Sequence, residues 1–341
     1  MATVITYPSA MEYWLQEKGI PFHFRFYAES SGAKNKDILR SSFHRGDLLQ
    51  QLEELNFSKP VHVLVSDRTS RNAMESVVFH MMPKALPANC FLKISDGLYI
   101  CTPEYCFVQS AQHLSLPELV LLANDLCAIY IKDNEEEYFQ RKREPVTTIR
   151  KLRNFLSQAK NLRGVQRAKI ALKYVTERSN SPMESRLAVL ARLPLSRGGY
   201  GLPPLKLNPK VKLYKQAADL LGRDYCMCDM VWEDQKLILE YDSTLSHLKK
   251  EQHILDKERL TALTMSNYQV LIATSEQVKN FGNVETLFLN VRRKLQIKTR
   301  QDRMDKYYDL RREIVHQLIL ADRQRPPLNN TLCEVYNSSQ I

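Results

Sequence analysis

Three carboxylates stand close together in the second half of the chain: Asp229, Glu240 and Asp242. Asp229 lies in the run Cys228-Asp-Met-Val-Trp232, and the other two lie in Leu237-Ile-Leu-Glu-Tyr-Asp242. Cys228–Trp232 and Leu237–Tyr241 read as strands, with Glu233-Asp-Gln-Lys236 as the turn between them and Asp242 directly after the second. Side chains alternate faces along a strand, so Glu240 and Asp242 project on one face. A tight hairpin brings Asp229 to the same end of the sheet. Carboxylates gathered this way repel one another unless a cation neutralises them or one takes a proton. Mg²⁺ (or Mn²⁺) is the hard cation suited to one or two carboxylates plus a phosphate oxygen. It would polarise a phosphoryl group, lower the pKa of a bound water and stabilise the leaving oxygen. Acidic residues at strand ends are also common, so on spacing alone a purely structural role stays open.

Other side chains extend the constellation. Glu184 follows Ser181 and Pro182, which places it at N3 of a capping box with proline at N1, a structural role by itself. His247, followed by Leu248, reads by itself as a helix-start residue near a carboxylate. Asp256 and Arg259 sit three apart on the next expected helix, where they could pair or reach a phosphate. Cys226-Met-Cys228 would need two further ligands for structural zinc, and small core residues are the preferred reading. The chain carries no G-x-x-x-x-G-K-[ST] loop, G-x-G-x-x-G turn or G-x-S-x-G elbow, which argues against nucleotide hydrolysis, dinucleotide binding and a serine hydrolase.

In order along the chain stand Ser181-Pro-Met-Glu-Ser-Arg186, a Pro-rich loop, Cys228-Asp-Met-Val-Trp232, Leu239-Glu-Tyr-Asp-Ser243, His247, Asp256-Lys-Glu-Arg259 and Tyr268-Gln-Val-Leu-Ile272. This succession resembles the very-short-patch-repair-like branch of the PD-(D/E)xK, restriction-endonuclease-like nucleases over about residues 180–297. The resemblance implies a small mixed sheet flanked by helices, with the acids on its central hairpin. It also implies that Asp229 and Glu240 hold the metal, that Asp242 joins them or orients water, and that His247 assists proton transfer. Glu184 matches an upstream helix glutamate near the metal. Asp242 stands where many members of the superfamily carry a lysine, so the residue that activates the attacking water is unassigned. In the first half, Pro60-Val-His-Val-Leu-Val65, Phe79-His80, Asp96-Gly-Leu-Tyr-Ile100 and Thr102-Pro-Glu-Tyr-Cys-Phe107 are similar to the region after the winged helix of abortive-infection antitoxin-type regulators. No winged helix is recognisable upstream of them.

The rest of the chain must position these groups. Its 341 residues suggest two domains, and 44% hydrophobic with 26% charged residues is globular composition. The expected organisation is an α+β module over 1–140, a basic helical connector over 141–179, an α/β restriction-endonuclease-like domain over 180–300, an amphipathic helix over 301–325 and a tail over 326–341. Within the first module, Ser9 to Glu12 reads as a capped helix start, Asp47–Leu55 as a short helix, and Asp96-Gly97 as the turn of a hairpin. The helix expected over 302–323 carries Met304, Tyr307, Leu310, Ile314 and Leu318 as an apolar stripe, suited to docking or to an oligomeric partner.

The net charge is +11 and the pI about 9.2, which points to a polyanion. Twelve basic residues lie between Arg141 and Arg178, opposed by Glu144 and Glu177 alone. Within that run Arg163, Arg167, Lys169 and Lys173, together with Arg259 further on, are the candidate nucleic-acid contacts. Such charge raises affinity without reading sequence, and it does not separate DNA from RNA. The same run could be a solvated connector. No apolar stretch is long enough to span a membrane, and the seven scattered cysteines suit a cytoplasmic chain with reduced thiols. The expectation is therefore a cytoplasmic, metal-dependent DNA endonuclease in defence or repair. The alternative is a nuclease-fold protein with weak or absent catalysis that acts as a DNA-binding or antitoxin-like regulator.

Overall fold

The computed structural model describes residues 3–15, 57–65, 76–83, 86–95, 97–131, 143–242, 250–298 and 300–320. The helix expected at Asp47–Leu55, His247 and the tail from Arg325 lie outside them. The chain is mixed α/β and divides into two units, Met1–Leu126 with Ile131–Lys173, and Cys127–Tyr130 with Tyr174–Gln324.

The first unit holds a five-stranded mixed sheet. Its strands are β1 (Thr3–Ile5), β2 (Val61–Val65), β3 (Val77–Met81), β4 (Phe91–Ser95) and β5 (Leu98–Cys101), in the order β3-β2-β1-β5-β4. β4 and β5 form the expected antiparallel hairpin, with Gly97 at φ 77° in its turn. The helices are α1 (Ser9–Leu15), α2 (Pro103–Ser110), α3 (Leu116–Leu126), α4 (Ile149–Gln158) and α5 (Val165–Leu172). Thr102 caps α2 by accepting the Tyr105 N–H, and Pro103 opens it. At α1 the expected capping pair reaches across the unit. Ser9 Oγ accepts the His62 N–H at 3.0 Å, and Glu12 takes the N–H and hydroxyl of Ser58.

The basic segment 141–179 is not a separate connector. Up to Lys173 it belongs to the first unit, and from Tyr174 to the second. The apolar residues spaced along it decide this: Leu152, Leu156, Val165, Ala168 and Ala171 are buried, with α4 packed on α2 and α5 on α3. Gly164 separates α4 from α5 at φ 86°, and a Cβ there would stand 2.4 Å from the Val108 carbonyl oxygen. Arg143, counted with the basic surface, is buried; its guanidinium donates to the carbonyls of Trp14 and Asp125 at 2.9 and 2.8 Å.

The second unit begins with α6 (Pro182–Arg192). Then come β6 (Lys206–Leu207), β7 (Lys210–Lys212), α7 (Lys215–Leu221), β8 (Tyr225–Met227), β9 (Met230–Trp232), β10 (Leu237–Asp242), α8 (Lys250–Met265) and β11 (Gln269–Thr274). β11-β10-β9-β6 is a mixed sheet, parallel at β10–β11 and antiparallel at β9–β10 and β6–β9. β7 and β8 form a separate antiparallel ribbon. The strand expected over 228–232 thus starts at Met230, and the Pro-rich loop contains two short strands. The chain continues through α9 (Ser275–Val278) and α10 (Phe281–Lys294).

The single helix expected over 302–323 is broken into α11 (Gln301–Lys306), α12 (Tyr308–Val315) and a π turn over His316–Leu320. The break falls at Tyr307, φ −112°, whose N–H bonds back to the Met304 carbonyl at 3.3 Å; the same carbonyl accepts Arg311 Nη1 at 2.9 Å. Arg311 is fully buried and forms a double hydrogen bond to Glu285 on α10, and Tyr200 donates its hydroxyl to the same carboxylate at 2.7 Å. Met304, Ile314, Val315, Leu318 and Ile319 are buried, so the stripe offered to a partner is covered within the chain.

Candidate active site

The acids converge at the end of the β9–β10 hairpin. Asp229 precedes β9, and its Oδ2 accepts the backbone N–H of Tyr241 on β10 at 2.7 Å. Tyr241 lies between Glu240 and Asp242, so this bond draws the first acid against the strand carrying the other two. Burial raises the pKa of Asp229. The Tyr241 N–H, Arg259 and hydrogen bonding to Glu240 oppose the rise, and Asp242 adds to it. Burial and then the charge of Asp229 push Glu240 up to about 7. The direction follows first from burial, which strips water from the charged form, and the neighbouring carboxylate adds to it.

Glu184 reaches the same field from α6. Ser181 caps that helix by accepting the Glu184 N–H at 3.2 Å, as its sequence indicates. The Glu184 carboxylate turns the other way. Its Oε2 accepts the Asn180 N–H at 2.8 Å and the Asn208 side-chain amide at 2.6 Å. Burial first, and Asp229 second, raise Glu184 to about 7. Asp229, in the turn before β9, is therefore the acid on which the others meet: Glu184 on α6 and Glu240 and Asp242 on β10 each interact with it.

Among the described residues, Arg259 is the cation that answers these acids. Arg259 on α8 donates from Nη2 to Glu240 Oε1 at 2.8 Å and to the Met227 carbonyl at 2.6 Å. Burial, the largest single influence, lowers its pKa; Glu240 first, then Cys228, Cys226 and Asp229, together outweigh burial and raise it. Asp256, the other candidate partner of Arg259, is exposed. The Cys228 thiol hydrogen-bonds Glu240, and burial with that carboxylate drives it far upward, so it stays protonated. Cys226 belongs to the apolar core, which leaves the C-x-C pair in packing roles.

Asn208 is a member that sequence reasoning missed. Besides holding Glu184, its N–H donates to the Asp229 carbonyl at 3.0 Å, and it occupies the left-handed region at φ 50°. Lys236 stands at the opposite end of β10 from Asp242, with Nζ 3.2 Å from the Tyr268 hydroxyl, so it does not take the missing lysine's place. Arg163, Arg167, Lys169 and Lys173 belong to the first unit. Arg167 is engaged there, donating to the carbonyls of Gln112 and Leu114. Arg163 and Lys173 are exposed, and Lys169 is half-buried.

The donor set suits a hard divalent cation, since it consists of carboxylate oxygens, and burial first with the charge of Asp229 second raises Glu184 and Glu240. Among the described residues no three His, Cys, Asp or Glu side chains already stand as a ligand set. Nor is any described helix long and apolar enough to cross a membrane. Comparison with protein-family models, curated proteins and solved structures finds no match.

Proposed function

We propose that this chain is a metal-dependent endonuclease of the restriction-endonuclease-like class, hydrolysing phosphodiester bonds in DNA. The observation that carries the reading is that Glu184, Glu240 and Asp242 each interact with the Asp229 carboxylate. The sheet β11-β10-β9-β6, with α6 before it and α8 between its parallel strands, supports the fold assignment, since its central hairpin bears the acids.

Asp229, Glu240 and Asp242 would hold Mg²⁺ or Mn²⁺. When bound, the cation supplies Lewis-acid polarisation of the phosphoryl group and a more acidic water. The chain's own groups do the rest. Asn208 and the Asn180 N–H fix the Glu184 carboxyl beside Asp229, where it holds or releases a proton. The Tyr241 N–H fixes Asp229. Arg259 offers a guanidinium at the same place, suited to a phosphate once Glu240 is neutralised otherwise. RNA is a substrate of the same chemistry.

A second reading, a DNA-binding or antitoxin-like regulator with no turnover, is favoured by the Arg259–Glu240 ion pair, which puts a protein cation where a metal would bind. Incubation of plasmid and of mismatched or branched DNA with Mg²⁺ or Mn²⁺, comparing wild type with Asp229→Ala, separates the two. Metal-dependent cutting lost in the variant supports the nuclease. Salt-sensitive DNA binding without cutting in either protein supports the regulator.

A further inference from the structure

The β7–β8 ribbon grows out of the acid cluster. Asn208, two residues before β7, binds both Glu184 and the Asp229 backbone. Asp229 itself follows β8 by two residues, and the last carbonyl of β8, that of Met227, is bonded to the Arg259 guanidinium that holds Glu240. Both roots of the ribbon are thus fastened to the site.

Its two faces differ. The register pairs Lys210 with Met227, Val211 with Cys226 and Lys212 with Tyr225. Val211 and Cys226 point inward and are buried in the core with Val231, Ile238 and Leu263. The outer face presents Lys210, Lys212, Tyr225 and Met227. Tyr225 and Met227 are 41% and 44% exposed, although apolar groups of this size on a short ribbon would ordinarily be covered. Lys210 Nζ lies 4.5 Å from the centre of the Tyr225 ring, so ring and ammonium are presented together. β7 and β8 carry no acid; the connection between them runs through α7 and ends in Arg223 and Asp224, just before β8. At about 3.3 Å per residue, Met227 stands about 7 Å and Tyr225 about 13 Å along the chain from Asp229.

An exposed aromatic ring beside cations, on two strands that carry no acid, suits a polyanion that also has flat apolar faces. We propose that the outer face of this ribbon binds an unpaired stretch of nucleic acid, with a base stacked on Tyr225 and packed against Met227, and phosphates met by Lys210 and Lys212. The assignment deepens the nuclease reading and rests on it for its biological sense: the ribbon leads an unpaired strand toward the acid cluster. A paired duplex hides its base faces and gains little from the ring. Stacking of this kind is sequence-tolerant and is worth about tenfold to hundredfold in affinity per base.

The test uses the full chain without divalent cation, so that binding is read apart from cutting. Fluorescence anisotropy follows a labelled oligonucleotide, first single-stranded and then annealed to its complement. Tyr225→Ala should weaken single-strand binding about tenfold or more and leave the duplex nearly unchanged, while Tyr225→Phe should bind as wild type does. Lys210→Ala with Lys212→Ala should weaken both and reduce the single-strand salt slope by about 1.4. Thermal melts of these surface variants should match wild type. Equal losses for strand and duplex, or no loss with Tyr225→Ala, overturn the assignment. Absence of binding to either form overturns it too, and leaves the ribbon to a protein partner. The two readings fail separately. Tyr225-dependent strand binding with uncut plasmid keeps the surface and removes the nuclease. Cutting lost in Asp229→Ala, with strand binding indifferent to Tyr225, does the reverse.

Discussion

The Asp229 carboxylate accepts the Tyr241 backbone N–H at 2.7 Å, a side-chain bond that closes the β9–β10 hairpin at the end where the acids meet. Asp229 therefore has two functions, structural through this bond and chemical through its charge. Asn keeps an oxygen acceptor for Tyr241 but gives up the charge, whereas Ala gives up both. Asp229→Asn is thus expected to melt close to wild type yet to lose metal-dependent cleavage by about a hundredfold or more, as removal of a cation ligand worth several kcal/mol implies. Asp229→Ala should lose cleavage to the same extent and about 1–3 kcal/mol of stability besides, because the Tyr241 N–H is left without its partner. Plasmid nicking rates and thermal melts check the pair. Full cleavage by Asp229→Asn would remove Asp229 from the metal site.

The second unit also buries an ion pair, Glu285 on α10 with Arg311 on α12. Glu285 receives Arg311 through two hydrogen bonds and the Tyr200 hydroxyl through a third. Removing one member of such a pair strands the other in the interior, a cost of about 3–5 kcal/mol. Glu285→Ala should lower the melting temperature by on the order of 10 °C. Glu285→Leu combined with Arg311→Met should recover much of the loss, since two apolar groups leave no orphaned charge. Calorimetry of the three proteins decides it; a single variant within about 1 kcal/mol of wild type would show the pair to be solvated.

How much of this the sequence carried differs from residue to residue. Glu240 and Asp242 were legible because strand alternation alone puts them on one face, and the ordered motifs around them assigned Asp229. Glu184 could be read both as a capping residue and as a site residue. The structure separates the two: its N–H serves the cap and its carboxylate the cluster. Asn208 was not legible, for it lies in a Pro-rich loop without periodicity and works through a left-handed backbone conformation. The Glu285–Arg311 pair was hidden for another reason. Alternating charges along 302–323 look like a solvent face, and a partner 26 residues away on another helix leaves no local signature. Arg143 likewise counts as surface charge until its two carbonyl acceptors are seen.

In the first unit, His62 is fully buried on β2 with Nδ1 2.8 Å from His80 Nε2 on the neighbouring strand. Burial, and then the proximity of His80, lower its pKa from 6.5 to about 3. The folded state thus refuses a proton that the unfolded chain accepts between pH 3 and 6.5. Stability from this group is complete above pH 6.5 and is lost as pH falls toward 3, at about 1.4 kcal/mol per pH unit. The raised carboxylates of the second unit run in the opposite sense, so the comparison must be between proteins. Urea unfolding of wild type and His62→Gln from pH 4 to 7 should give curves whose difference slopes by about one proton. Parallel curves would mean that His62 titrates normally in the fold.

Arg259 tests whether the acid cluster is a cation site or a closed ion pair. Its guanidinium holds Glu240, so a divalent cation must enter against a like charge already present. In Arg259→Met, which retains much of the bulk on α8, that opposition is gone, and four carboxylates remain without their cation. Divalent-cation binding, read by titration calorimetry with Mn²⁺, should tighten at least several-fold. Cleavage should fall nonetheless, because the group suited to the phosphate has been removed. Tighter metal with slower cutting is the signature of a nuclease in which Arg259 serves the substrate. If Mn²⁺ affinity is unchanged, or no Mn²⁺ binds either protein, Arg259 is the permanent counter-ion of Glu240 and the second unit acts by binding.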